Sequence, residues 1–476
     1  MKTTAATSRG TVRGTADGEV VAFRGIPYAA SPIDDLRFAP PRPHPGWQGI
    51  RETTQAGPAV PQAASRLELV MGHRTPDWNE DGCLTLNVYT PQTALDDESS
   101  RPVLVWFHGG GFTSGSGGWD WYDGTHLAAL GDMVVVTANY RLGALGYLYL
   151  PEIGAENLGA QDQAAVLHWV RDNIGSFGGD PGHVTVGGQS AGAYSALSLA
   201  LDPQTSGLIT GALLQSGPWG LTPQDPQQAA AIAEEYLCLL DVPAGVASGK
   251  ALRALPVEQL LVAYGQLAQQ HARLGNVAPP MYPVLGAPGV PRAWHDSLMD
   301  GDLEGKALLI GTTQNEATAF FGFDPRIQNI TAEGALDVVA GSQAQQTYQR
   351  YAAQHPDATP ARIVTEIETD ELFRNGTLQI ADHHSAGGNP TFVYQFDYHP
   401  PTDEHALGAT HCSELPFLFG TFDAYTDSPM LGKVGDTQHT LSKTFATAIT
   451  MFVTADQIPD WLPYAPATPT RIRYFA

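Results

Sequence analysis

One short segment constrains the fold more than any other. The β-branched run Val184-Thr185-Val186 leads into Gly188-Gln189-Ser190-Ala191-Gly192, and Ala191 to Leu201 then reads as a helix. A G-x-S-x-G sequence between a strand and a helix is a strained, crowded turn that lifts a serine Oγ out of a sheet. Small residues flank the serine because larger ones have no room. The helix that opens at Ala191 directs its N-terminus toward the serine and favours negative charge developing there.

The rest of the chain supplies the matching sheet. Strands are predicted at Val20 to Phe23, Leu84 to Tyr89, Val103 to Phe107, Met133 to Ala138, Val184 to Val186, Ala212 to Leu214, Ala307 to Ile310 and Phe392 to Phe396. Those at 103, 133, 184 and 307 are apolar on both faces, as central strands covered by helices must be. Helical patterns lie between them, at Asn157 to Asp172 and Ala191 to Leu201. Alternation of this kind predicts an α/β fold with a mostly parallel sheet flanked by helices. The Ala/Gln/Leu-rich stretch from Pro223 to Gln270, and residues 325–385, read as helices with no partner strand. They are expected to pack over one end of the sheet.

A second motif, His108-Gly109-Gly110-Gly111-Phe112, follows the strand that ends at Phe107. Acyl transfer passes through a tetrahedral oxyanion, and glycine backbone can turn N–H groups toward that oxygen without a Cβ in the way. A phosphate-binding loop is the competing reading. It fails because no G-K-[ST] or G-x-G-x-x-G stands at the right place.

With both motifs present the chain resembles the type-B carboxylesterases, the α/β-hydrolase family that includes bacterial para-nitrobenzyl esterases and animal cholinesterases. The similar stretches run through most of the chain. They include Phe23-Arg24-Gly25-Ile26-Pro27-Tyr28-Ala29, Leu36-Arg37-Phe38, Leu86-Asn87-Val88, Asn139-Tyr140-Arg141, Asn157-Leu158-Gly159, Phe177-Gly178-Gly179-Asp180-Pro181 and Gln215-Ser216-Gly217. The resemblance implies one α/β-hydrolase domain over residues 1–476, with helical insertions at approximately 220–300 and 325–385. It implies a triad as well. Glu316, in Gly311-Thr312-Thr313-Gln314-Asn315-Glu316-Ala317, matches the family glutamate, and His411, in Gly408-Ala409-Thr410-His411, matches the family histidine. The chain order Ser190, Glu316, His411 suits this fold. Gly110, Gly111 and Ala191 match the oxyanion donors. Ser190 would be the nucleophile, His411 its base, and Glu316 the group that orients and stabilises the imidazolium.

Departures from the family pattern sharpen the expectations. Gln189 stands where the family often has Glu, which removes a negative charge beside the triad. Asn315-Glu316-Ala317 replaces Asp-Glu-Gly, and Gly82 is inserted before Cys83. No cysteine precedes Cys83, so the disulfide of secreted relatives cannot form. Two bracing ion pairs are expected, Arg141 with Asp162 and, beside the insertion, Arg37 with Glu80. The substrate pocket is expected to draw on Phe112, Gln189, Trp219, Phe320 and Phe417, with Trp119 and Trp121 as further aromatic candidates. No aromatic matches the position where cholinesterases hold choline, so quaternary ammonium recognition is not expected.

Composition excludes several partners. Of 476 residues 49 are acidic and 25 basic, a formal charge of −24. Nucleic acid and anionic lipid both require clustered Lys and Arg, so neither is expected. The acidic excess is also expected to repel carboxylate products and disfavour anionic substrates. No apolar run approaches the roughly 20 residues of a membrane span. Three cysteines cannot build a disulfide framework, and no apolar leader follows Lys2, which together predict a cytoplasmic protein. No metal-binding motif is found and no cofactor is expected. The expected partner is a small apolar or aryl ester, and the expected assembly is a monomer or small homo-oligomer. Amide or carbamate hydrolysis on the same triad is the nearest alternative. A non-catalytic adhesion module is the alternative of another class.

Overall fold

The computed structural model describes the chain except residues 1, 76, 98, 340–341, 456–457 and 469–470. Its frame is a ten-stranded sheet. In chain order the strands are β1 (Thr15–Asp17), β2 (Val20–Pro27), β3 (Thr85–Pro91), β4 (Arg101–Phe107), β5 (Val134–Ala138), β6 (Gly179–Gln189), β7 (Gly211–Gln215), β8 (Ala307–Thr313), β9 (Thr391–Phe396) and β10 (Arg473–Phe475). Across the sheet they run β10-β9-β8-β7-β6-β4-β5-β3-β2-β1. Every pair from β10 to β5 is parallel, and the pairs from β5 to β1 are antiparallel. A small three-stranded sheet from Thr4–Thr7, Gly10–Arg13 and Ile50–Glu52 stands apart.

All eight predicted strands are present, and the apolar character of each strand explains its place. Val134–Ala138 and Gly211–Gln215 are buried along their whole length. Such strands can only sit inside a sheet covered on both faces. One cover is α1 (Leu158–Asn173) with α2 (Ala191–Leu201); another is the long helix Asp436–Ala455. Two clusters of buried side chains lie on the two faces, one holding Phe107, Tyr140 and Leu197, the other Trp106, Phe417 and Phe452. β1, β10 and the small sheet were not predicted: strands of three or four residues carry too little pattern to be read.

Residues 220–300 contain the helices Pro226–Leu239, Ala247–Ala254, Val257–His271 and Trp294–Met299, and residues 325–385 contain five more helical segments and a π-helical turn at Asp370–Arg374. Both stretches are helical, as predicted. No described helix is long and apolar enough to cross a membrane.

The two expected ion pairs form. Arg141 meets Asp162 at 2.7 Å with both side chains buried, and Arg37 meets Glu80 at 2.5 Å. Gly82 adopts a positive φ of 78° and so takes up the inserted residue as a turn, leaving the Arg37–Glu80 pair intact. Cys83, Cys238 and Cys412 are all free thiols.

Candidate active site

The C-terminal ends of parallel strands in an open α/β sheet are where ligands bind. Four such ends supply this site. Ser190 follows β6, the glycine loop follows β4, Glu316 follows β8, and His411 lies beyond β9. Ser190 has φ 58° and ψ −126°, a conformation that costs on the order of 1–3 kcal/mol for a side-chain-bearing residue. The strain is held from both sides: Ser190 N–H donates to Gln215 O on β7 (2.9 Å), and Ser190 O accepts the first hydrogen bond of α2 from Tyr194 N–H (3.0 Å). A Cβ at Gly192 would lie 2.0 Å from Phe107 O, and one at Gly188 would lie 2.4 Å from the Gly192 carbonyl carbon. The elbow therefore admits only glycine at both positions.

The glycine loop is turned by its own backbone. Gly110 O accepts from Thr113 N–H (3.1 Å) and Ser114 N–H (3.2 Å), which draws the carbonyl away from the cleft. A side chain at 110 would collide with Ser114 O at 2.0 Å. His108 anchors the loop from below. Its carbonyl accepts from Tyr140 Oη (2.7 Å) and its ring stacks on Tyr140 at 4.5 Å. Burial pushes the His108 imidazole down to about 4, so it is neutral near pH 7.

Glu316 and His411 meet through a tied pair of loops. Asn315 N–H donates to Ala409 O (2.8 Å), and Ala409 N–H returns a bond to Asn315 Oδ1 (3.2 Å). This clasp, with Thr318 Oγ1 donating to Thr410 Oγ1 (2.7 Å), fixes the two loops in register. Glu316 Oε1 accepts from Thr313 N–H (2.8 Å), and its Oε2 lies 2.5 Å from His411 Nδ1. Both side chains are completely buried. With Nδ1 protonated toward the carboxylate, Nε2 is left as an acceptor. Among the described residues Ser190 Oγ makes no hydrogen bond, and His411 Nε2 instead lies 3.2 Å from the Gln189 amide nitrogen. Gln189 Oε1 accepts from the Cys412 thiol at 3.5 Å. Behind Glu316 a second carboxyl, Glu414, accepts from Ser216 Oγ (3.1 Å). Burial first, then the charge of Glu316, raise its affinity for a proton.

Ser190, Ala191, Gly110, Gly111, Phe112 and Phe320 line one cleft of about 570 Å³, open mouth included. The remaining pocket candidates lie elsewhere. Gln189 is behind the imidazole rather than on the cleft wall. Trp219 is buried beside Tyr194, its ring stacked at 6.4 Å and its indole N–H bonded to Thr377 Oγ1. Phe417 is fully buried between Phe396, Tyr398 and Phe422. Trp119 and Trp121 pack in the same core, edge to face at 5.2 Å. These aromatics are near the triad in sequence, but the short turns that carry them point them into the sheet's cover.

Several cleft residues carry no sequence signal. Phe373 packs against His411 with ring centroids 4.9 Å apart, and Phe320 does so at 5.3 Å. Phe373 belongs to the π-helical turn Asp370–Arg374, a rare turn of the kind often found at functional sites. Arg66 and Leu67 come from an N-terminal loop and Val277 from the first insertion. No motif marks any of them. Among the described residues no cluster of three or more His, Cys, Asp or Glu is placed to hold a metal ion.

The geometry finds its counterpart in known proteins. A profile of the Carboxylesterase family matches residues 1–471. A phenmedipham hydrolase of Pseudarthrobacter oxydans is 36% identical over 466 residues, which cover 96% of this chain and 91% of that protein. A probable N-octanoylanthranilate hydrolase of Rhodococcus erythropolis is 37% identical over 430 residues, 89% of this chain and 86% of that protein. A solved PNB esterase superposes with a TM-score of 0.84 at 33% identity, covering 98% of this chain and 94% of its own. The chain thus belongs to the carboxylesterase family, with the α/β-hydrolase fold and carboxylic-ester hydrolase activity of its class.

Proposed function

We propose that this carboxylic-ester hydrolase works through Ser190 as nucleophile, His411 as general base and then acid, and Glu316 as the orienting carboxylate. The single observation that carries the assignment is the buried 2.5 Å His411–Glu316 pair converging on the same strand ends as the strained Ser190. Ser190 Oγ attacks the ester carbonyl and His411 Nε2 takes its proton, displacing the Gln189 amide as the Michaelis complex tightens. The tetrahedral oxyanion is held by the N–H groups of Gly110, Gly111 and Ala191. His411 returns the proton to the leaving alkoxide, and a water activated by the same imidazole releases the acyl group. Small apolar or aryl esters suit a cleft walled by Phe112, Phe320, Phe373 and Leu221. No cofactor takes part.

The test is turnover of p-nitrophenyl butyrate with fluorophosphonate labelling. Wild type should turn over and label, and Ser190→Ala should do neither. Undiminished turnover by the variant would end the reading, and absence of labelling in wild type would favour a binding module. A second reading has one observation behind it: the name of the Rhodococcus relative places its acyl group on nitrogen. The same oxyanion path cleaves N-acyl arylamines, and comparing butyranilide with phenyl butyrate separates the two.

The chain is further proposed to act as one domain, with the insertions near 220–300 and 325–385 roofing the cleft. A cytoplasmic setting is supported by the free Cys83, Cys238 and Cys412. A monomer or small homo-oligomer is the proposed assembly, and sedimentation decides it.

A further inference from the structure

The chain carries 49 acidic residues, yet among the described residues no Asp or Glu lines the cleft holding Ser190 or the larger neighbouring cleft, about 1100 Å³. The two clefts share Arg66 and Pro279. Arg66 is the cation of the catalytic cleft, and it stands close to the oxyanion loop: a Cβ at Gly111 would lie 3.1 Å from its Nη2. A guanidinium has five N–H donors. Arg66 is exposed; it gives one hydrogen bond to the protein, to Val277 O at 2.9 Å, has no carboxylate within ion-pair distance among the described residues, and turns its other donors to solvent. The less exposed Arg24, Arg37, Arg101, Arg141 and Arg374 are all paired with acids.

A second unpartnered group lies just behind the same wall. Tyr264 lines the neighbouring cleft, and its hydroxyl is buried with no hydrogen-bond partner. Tyr264 and Arg66 stand together among the residues that line this cleft. Burial raises the Tyr264 phenol, so it remains a proton donor, and the exposed Arg66 guanidinium is charged near neutrality. An exposed guanidinium in a cleft with no acid among its described lining residues suits an anion. Arg66 offers its donors to a carboxylate directly, and Tyr264 adds one once its enclosed hydroxyl turns toward the cleft.

We propose that Arg66 and Tyr264 bind a carboxylate on the substrate, so that the enzyme prefers aryl esters whose aryl group bears an acid. The proposal deepens the acyl-transfer reading and rests on it. The aryl ring sits in the apolar cleft between Ser190 and Arg66, and the carboxylate reaches the wall shared with the second cleft. On this proposal the expectation that net charge disfavours anionic substrates would not hold inside the cleft.

The test compares 3-carboxyphenyl butyrate with its neutral isostere 3-carbamoylphenyl butyrate. Charge-assisted hydrogen bonds of this kind correspond to about 10- to 100-fold in affinity. Wild type should favour the acid in kcat/KM by about that factor. Arg66→Gln should collapse the ratio toward one through KM, Arg66→Lys should restore part of it, and Tyr264→Phe should lower it several-fold. A wild-type ratio at or below one, or a ratio unchanged in Arg66→Gln, overturns the proposal. So does an equal fall of kcat on both esters, which would make Arg66 a support for the oxyanion. Calorimetric titration of wild type with benzoate against benzamide reads the receptor without turnover or a variant: benzoate should bind tighter by the same factor, and equal binding overturns the proposal. Fluorophosphonate labelling of Ser190 run alongside reports on the acyl-transfer reading separately, so either can fail alone.

Discussion

On the sheet side of the cleft Glu316 commits both oxygens, one to Thr313 N–H and one to His411, and Arg141 gives its guanidinium to Asp162 and to Ala39 O. On the facing side Arg66 gives one hydrogen bond to the protein and Tyr264 Oη none. The two walls are built from similar residue types to opposite ends. Where geometry must be fixed before the substrate arrives, donors and acceptors are satisfied internally, because a buried unpaired group costs about 1–3 kcal/mol. Arg66 is exposed, so its open donors are hydrated at no such cost and stay available for the substrate.

That contrast predicts a ranking of effects. On the satisfied wall Ser190→Ala should lower kcat by a factor on the order of 10⁴–10⁶, read by p-nitrophenyl butyrate turnover with the circular dichroism spectrum unchanged. Glu316→Gln keeps the shape of the group but removes the charge that orients His411. It should cost on the order of 10⁴ in kcat, and a loss under tenfold would show that the clasp through Asn315 orients the imidazole unaided. Asp162→Ala leaves Arg141 buried without its acid and should destabilise the fold by about 3–5 kcal/mol in urea titration. The open wall answers with the smaller change described for Arg66, confined to substrate preference.

Two further effects are smaller and depend on pH. Burial, then the nearby Glu371, push the Glu368 carboxyl up to about 7. A carboxyl raised on folding binds its proton more tightly in the native chain, so stability falls as pH climbs from about 4.5 through 7. Glu368→Gln should therefore stabilise the protein by about 1–3 kcal/mol at pH 8 and by nothing at pH 4, and equal melting shifts at both would refute the linkage. Finally, Gln189→Glu would set a carboxylate where the amide now lies 3.2 Å from His411 Nε2. An added negative charge favours the imidazolium, so the acid limb of the kcat/KM profile should move up by about one pH unit. An unmoved limb would mean that the amide does not face the base in solution.

How much was legible in the sequence differs between the same two walls. The elbow could be read because strain and crowding demand glycine at 188 and 192, and the glycine loop because a backbone turned on itself demands Gly110. Glu316 and His411 were found by their resemblance to the family's motifs, each on a loop after a strand that hydropathy also marks. Phe112 and Phe320 were placed in the cleft by adjacency to those motifs, whereas Trp219 and Phe417, equally adjacent, turned into the core. Adjacency in sequence does not set the direction of a side chain on a short turn. Phe373 depends on a π-helical turn, and nothing local in Asp370–Arg374 distinguishes it from ordinary helix.

By itself the sequence determined what rests on local necessity: eight strands from their buried apolar runs, the serine turn from its glycines, the loop that frees N–H groups, and the absence of any partner for Cys83. The tertiary structure decided what depends on distant segments meeting. It brought Glu316 and His411 to 2.5 Å across 95 positions, set Gln189 against the imidazole, and left Arg66 and Tyr264, 198 residues apart in the chain, lining one cleft with no acid among its described lining residues. A net charge of −24 could not foretell that, because a sum over the chain is blind to where each charge lies, and the field at a substrate is set by the few groups within a Debye length of about 8–10 Å.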